Sequence, residues 1–338
     1  MDISRRLVWL AVAIATLDVL HGQWVAGIAE LLADFEWPSR FWSRFCDPRF
    51  FQTLKSLQAQ AELFCRGNAF GNRTISSLRS KKMIDYLQPL TIALIPALIV
   101  IDWAIRGRRH DSTRFWRVRA TLVTIATFYF AGYVAVFWGT FLGDFHLIDG
   151  SGLGTWAGAL VGILVYELGH YWYHRSAHAF DWLWRAGHQM HHSAESLDAF
   201  GAYYLHPVDT FMFTTIGSLV FFPLLGLTME AGLIGAFFLT FNAMFQHMSM
   251  RTPRWLGYVI QRPESHSVHH GKGIHRYNYS DLPLWDMIFG TFRNPETFQK
   301  EHGFYKGASG RIGEMLLFRD VTSPEKAAGK LPTRKVAA

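Results

Sequence analysis

Cysteine is nearly missing from this chain. Cys46 and Cys65 are the only two, so no cysteine cluster can hold an iron–sulfur centre. Charge is sparse as well: Asp, Glu, Lys and Arg make up 17% of 338 residues, against about a quarter in a soluble protein. There is no G-x-G-x-x-G after a strand, no H-P-G-G haem segment and no H-E-x-x-H of the hydrolytic zinc type. Carboxylate-bridged di-iron bundles take Glu plus Glu-x-x-His. That pattern is not found either, because Glu167, Glu195, Asp209 and Glu264 do not repeat at ligand spacing. These gaps argue against a chain that carries its own electron-transfer cofactor, and against hydrolysis at a zinc ion.

What fills the composition is apolar. Half of the residues are hydrophobic and 16% aromatic, with 28 Phe and 13 Trp, as lipid-facing and interfacial surfaces favour. Long apolar runs cover Leu7–Ala33, Leu87–Ile105, Ala120–Leu142 and Gly152–Gly169. Thr210–His247 holds two more, hinged near Leu225–Glu230. A bilayer-spanning helix needs about 20 residues, so this last stretch suits two short or tilted spans, or a re-entrant pair. The expected fold class is all-α: a multi-span integral membrane helical bundle.

The net charge of +7 is not spread evenly. Arg106, Arg108, Arg109, Arg114, Arg117 and Arg119 crowd one link, while Gly143–Gly152 has no Lys or Arg. That asymmetry orients helices and puts the arginine link in the cytoplasm. No basic patch interleaved with aromatics faces phosphates, so no nucleic-acid partner is expected. No small-x-small cleavage site follows the first run, so residues 1–33 read as an uncleaved membrane helix. Residues 34–86 then form a non-membrane insertion on the far side, and 87–119 a returning helix with its basic cytoplasmic link. If the insertion is extracytoplasmic, Cys46 and Cys65 can pair; if not, they are two small buried residues. Residues 296–338 form a C-terminal segment, disordered after about Val321.

Histidine is the residue the chain concentrates. Twelve of its sixteen lie between His170 and His275. His170, His174 and His178 are spaced i, i+4, i+8, one stripe on a helix. His188, His191 and His192 (HQMHH) and His266, His269 and His270 (HSVHH) each follow i, i+3, i+4, again one helical face. The expected topology returns the ends of Gly152–Gly169 and Thr210–His247 to the cytoplasm. A histidine-rich cap therefore gathers there, with His247 included. Neutral imidazole is a common metal ligand, and one ion needs three or four protein ligands. Eight or nine convergent histidines imply two ions. His21, His110, His146 and His302 read as surface or satisfied core residues.

HRSAH (His174–His178), HQMHH and HSVHH resemble the three boxes of the fatty acid hydroxylase, or sterol desaturase, superfamily. LHPVD (Leu205–Asp209), His247 at a helix end, and YNYSDLPLWDMIFGTF (Tyr277–Phe292) extend the similarity over about residues 120–295, which read as the catalytic domain. The sequence departs from the family at N-Y-S, where Ser280 replaces a glycine, and at Met-Ser after His247. The resemblance implies a membrane-bound enzyme with two iron ions that uses O2 to hydroxylate or desaturate a C–H bond of a fatty acyl, sterol or related lipid. It implies His174, His178, His188, His191, His192, His266, His269 and His270 as ligands, with His247 as a ninth. His170, His206 and His275 are either further ligands or partners that orient ligating rings. Trp285, Asp286 and Phe289 are expected to pack beneath the third box. Electrons must come from a separate cytochrome or ferredoxin fed by NAD(P)H. The alternative is a membrane metal transporter or metal-binding protein, which would place its ligands near mid-membrane.

Overall fold

The computed structural model describes residues 75–105, 113–143 and 145–327. The expected helix at Leu7–Ala33, both cysteines and most of the 34–86 insertion lie outside the described residues. Five long helices carry the structure: α1 Ile75–Ile105, α2 Trp116–Leu142, α3 Gly154–Ala179, and, later in the chain, Pro207–Leu219 and Met229–Gln246. Between α3 and Pro207 a short helix, α4, spans Gln189–His192, so the last two long helices are α5 and α6. Two short ones follow, α7 Pro263–His269 and α8 Pro283–Ile288. No strand forms among the described residues; Gly271 and His302 make an isolated bridge.

The spans of Trp116–Leu142, Ser151–Ala179 and Pro207–Leu224 are long and apolar enough to cross a membrane. Their outward faces explain why: Leu122, Tyr129, Phe130, Phe137 and Phe141 of α2 are all exposed, which only a lipid-like surrounding makes favourable. α1 extends the Leu87–Ile105 run backwards through Pro89 to Ile75, well into the segment read as insertion. α5 opens with Pro207 at its first turn and runs on as a π-type turn over Val220–Leu224, and Thr228 caps α6 by accepting from Ala231 N. The hinge thus falls at Leu225–Thr228, close to where the sequence placed it.

α6 packs against α1 on one side and α3 on the other, while α5 packs on α2 and α3. The far ends meet where Leu147 N and Gly150 N donate to the carbonyls of Pro223 and Leu225. At the opposite end Asp102 of α1, 5% exposed, accepts from the backbone of Ala199 and Ser249, tying α1 to the loops beyond two histidine segments. Thr322–Ala327, expected to begin a disordered tail, is instead folded. Val321 N donates to Gln189, and Val321 and Ala327 are buried in a cluster with Trp116, Met190 and Tyr204.

Helix contact at the centre depends on missing side chains. The Phe221 ring lies between Gly162 of α3 and Gly235 of α6, and a Cβ at either glycine would collide with it. Overpacking of this kind costs about 1–3 kcal/mol. Gly235→Val is therefore expected to lower the thermal midpoint of the detergent-solubilised protein. A second change, Phe221→Leu, should restore part of the loss; no recovery would show that the ring is not what the glycine accommodates.

Candidate metal centre

The histidine segments sit at the end of the bundle where α3 and α6 finish and α5 begins. The sequence had put each H-x-x-H-H box on one helical face, but the structure divides them. His188 and His192 join His174, His178 and His269 in one group, whereas His191 joins His247, His266 and His270 in another. In each box the i, i+4 pair stays together and the intermediate histidine crosses to the other group. The π-type turn at Trp184–His188 running into the four-residue α4 leads the chain into the second box. The two groups abut, with His192 stacked on His270 at 4.1 Å.

Tautomers follow from what lies behind each ring. His174 Nδ1 is 2.6 Å from the Tyr279 carbonyl, His269 Nδ1 2.8 Å from that of Tyr277, and His247 Nδ1 2.7 Å from that of Ala243. His188 Nδ1 lies 2.7 Å from Asp209 Oδ2. A carbonyl or carboxylate oxygen only accepts, so each of these Nδ1 atoms carries the proton and each Nε2 is a lone pair. Yet the lone pairs face one another: His174 and His188 Nε2 are 2.8 Å apart. His192 Nε2 is 3.1 Å from His188 Nε2 and 3.0 Å from His269 Nε2. In the second group His247 Nε2 is 3.2 Å from His191 Nε2 and 3.1 Å from His266 Nε2. His178 Nε2 and both nitrogens of His270 are buried without a hydrogen-bond partner among the described residues.

Lone pairs converging in this way repel unless a cation stands among them. Metal–imidazole bonds of about 2.0–2.1 Å put neighbouring ligand nitrogens about 3 Å apart, the spacing seen. The residues therefore fit a metal ion in each group. Burial first, and neighbouring imidazoles after it, hold His191, His192, His266 and His270 well below the ordinary histidine range, which keeps them in the neutral form that binds metal.

The three remaining candidates separate. His275 Nδ1 is 3.0 Å from His192 Nδ1, behind the first group, and burial pushes its pKa down to about 4. His206 lies in neither group: its Nδ1 accepts from Val208 N and caps α5. His170 stacks on His174 at 5.4 Å and falls in a third group with Glu167 and Asp281. Glu167 and His170 are a Glu-x-x-His set aside in the sequence because it occurs without a second copy.

The loop from Tyr277 to Leu282 supplies two of the carbonyls behind the rings, and side chains pin it. Asn278 donates to the carbonyls of Ser265 and Arg293 and accepts from Arg293 N. Asp286 accepts from Tyr279 N, Ser280 N and Thr291 Oγ1, so its part exceeds the packing expected of it. Trp285 donates to the Leu164 carbonyl and Phe289 stacks on Tyr171. His275, Tyr277 and Asn278 all have positive φ, a conformation costing non-glycine residues of order 1 kcal/mol each. Ser280, in the family's glycine position, donates to Glu167. Sequence reasoning had no handle on the backbone acceptors; Asp209 was legible only as the acid of LHPVD.

Beside the histidines lies a cavity of about 400 Å³. Its lining includes His174, His188, His191, His247 and His266, from both groups, with His170, Gln246 and Asp281, and the apolar Phe128, Phe213, Phe221, Phe222 and Leu239.

Long apolar helices closed at one end by two all-histidine groups define a class, the helical proteins with histidine-box centres. Residues 159–291 match the fatty acid hydroxylase family model. Among similar proteins is alkylglycerol monooxygenase of Homo sapiens, 28% identical over 62% of this chain and 48% of that protein. Sphinganine C4-monooxygenase 1 of Arabidopsis thaliana is 27% identical over 43% of this chain and 57% of its own length. Ornithine lipid hydroxylase OlsE of Rhizobium tropici is 33% identical over 40% of this chain and 42% of its own length. The chain thus spans about half the length of these relatives. No solved structure matches it.

Asp209 also accepts a hydrogen bond from Tyr173 at 2.5 Å, and a Cβ on Gly187 would touch its carboxylate. It is a positioning residue for His188. Asp209→Asn is expected to weaken metal binding at the first group by about 10–100-fold and leave the second unchanged. Titration of metal-stripped protein checks this; equal affinities at both groups would remove the assigned role.

Proposed function

We propose that this protein is a membrane-bound, O2-dependent lipid monooxygenase that hydroxylates an alkyl C–H bond at a pair of histidine-held iron ions. The observation that carries the reading is the shared cavity: imidazoles of both groups line one pocket together with Phe128, Phe213, Phe221, Phe222 and Leu239. The relatives' names support oxygen insertion over desaturation, and alkylglycerol, sphinganine and ornithine lipid share the chemistry of a lipid with a polar group.

His174, His178, His188, His192 and His269 hold one ion, and His191, His247, His266 and His270 the other. Iron bound there supplies the activation of O2 that an unreactive C–H bond requires. The chain's own part is to hold, orient and exclude. Carbonyls and Asp209 fix the ring tautomers, and imidazole survives oxidising conditions that thiolate does not. Phe213, Phe221 and Leu239 bind the alkyl chain and keep water from its reacting carbon. One oxygen atom enters the C–H bond; the other leaves as water, taking two electrons and two protons. A separate cytochrome or ferredoxin fed by NAD(P)H delivers those electrons at the cytoplasmic face, the side that the arginine-rich link supports for the histidine end. A transporter would need its ligands along a path, whereas these converge beside a greasy pocket.

The test is metal content of the detergent-purified protein by mass spectrometry, beside His191→Ala and His269→Ala. About two irons per chain are expected in the parent and one fewer in each variant. Turnover of alkyl lipids with O2 and a reduced donor should fall at least 100-fold in both. Folded parent protein without metal after iron reconstitution, or substantial turnover in either variant, would overturn the reading.

A further inference from the structure

Glu167, His170 and Asp281 place one ligand atom each within 4.8 Å of one another. All three are buried, Glu167 completely. Glu167 Oε2 is occupied by the loop, accepting from Ser280 Oγ at 2.8 Å and from the backbone of Asp281 and Leu282. Among the described residues its other oxygen, Oε1, has no hydrogen-bond partner, and neither has His170 Nδ1, which lies 3.7 Å from Oε2.

Two further side chains converge from α6. Asn242 donates its amide to the Asp281 carbonyl at 2.6 Å, and Gln246 donates to Asp281 Oδ1 at 2.7 Å. Both amide oxygens are left buried and without a partner. Gln246, His170 and Asp281 line the same cavity wall. Among the described residues no Lys or Arg pairs with either carboxylate. Two carboxylates in one dry place, with unpaired acceptor oxygens beside them and a single imidazole 3.7 Å away to offset them, is an arrangement burial strongly disfavours.

We propose that Glu167, His170 and Asp281 form a third metal site, for a divalent ion of the Mn²⁺ to Zn²⁺ kind, completed by an amide oxygen of Gln246 or Asn242. The donor set decides the class. Two carboxylates and amide oxygen select hard divalent ions, and the imidazole extends the preference to first-row transition metals. The nine-histidine groups offer nitrogen only, so the third site differs from them in chemistry as well as place. Its position gives it a task. α3 carries Glu167 and His170, α6 carries Gln246, and Asp281 stands two residues after the Tyr279 carbonyl that orients His174. An ion there clamps the two helices and the loop that aim histidines at the cavity, without touching the reacting carbon.

The experiment uses full-length protein purified in detergent, incubated with Mn²⁺ and desalted, with all bound metals counted by mass spectrometry. Asp281→Asn keeps the shape of the side chain, and His170→Phe keeps the stack on His174 while removing the nitrogen. The parent is expected to bind about one ion per chain more than either variant, with the histidine-bound metal retained in both. Equal counts in parent and His170→Phe would overturn the proposal and leave protons to neutralise the carboxylates. If a variant loses all metal by misfolding, anomalous scattering at the manganese edge from crystals of the parent decides. A peak bonded to His170 Nδ1 and Asp281 supports the site, and none there refutes it. Loss of histidine-bound iron alone would count against the hydroxylase reading and not against this one.

Discussion

Opposed lone pairs govern this molecule. Ring nitrogens are pressed to within about 3 Å of each other in two adjoining groups, those of His174 and His188 being two acceptors face to face, and four of the rings are fixed from behind. The backing is drawn from unrelated parts of the chain: a carboxylate on α5, a carbonyl in the last turn of α6, and two carbonyls in the loop after α7. The loop in turn depends on Asn278, Asp286 and Glu167, buried polar residues with no metal to bind in the histidine groups themselves. Much of the polar interior is therefore explained as support for nine imidazoles. Support of this kind also accounts for the left-handed backbone at His275, Tyr277 and Asn278, since strain persists only where the surroundings over-determine it.

Spacing made the histidines legible, because i, i+4 repeats have one strong meaning on a helix. Spacing did not reveal their division into two groups. His188, His191 and His192 share a broad helical face, but i+3 and i+4 fall on opposite sides of i, and in both boxes the i+3 ring joins the neighbouring group. The carbonyls of Tyr277 and Tyr279 were invisible for a simpler reason: every residue has a carbonyl, and only the fold selects two. Glu167 was visible but had no partner in the sequence. A lone Glu-x-x-His reads as half of a missing pattern, and its partners Asp281 and Gln246 arrive from more than 70 residues away.

The apolar runs were read more easily than their ends. α2 follows its run closely, because arginines and Gly143 bound it on either side. α1 continues well past its run, since Asp85 and the lysines before it are compatible with helix while falling outside any hydropathy window. The tail shows the opposite error. Thr322–Ala327 has the composition of a disordered end, yet the buried side chains of Val321 and Ala327 suffice to dock it. Composition measures how much a segment gains by folding alone; it does not register a groove elsewhere that two small side chains can fill.

Placing the histidines at the end of the bundle reconciles two demands that conflict. Alkyl chains leave a bilayer most readily into an apolar pocket between helices, whereas neutral imidazoles, buried carboxylates and an irregular loop need backbone that can turn freely. Within the hydrocarbon region irregular backbone is tolerated only where protein covers it. The solution is a boundary: Phe213, Phe221 and Leu239 extend the membrane's own chemistry inward, and the loops beyond the helix ends provide carbonyls at angles no helix offers. The cavity joins the two kinds of surface, since its lining takes in those apolar side chains together with imidazoles of both histidine groups.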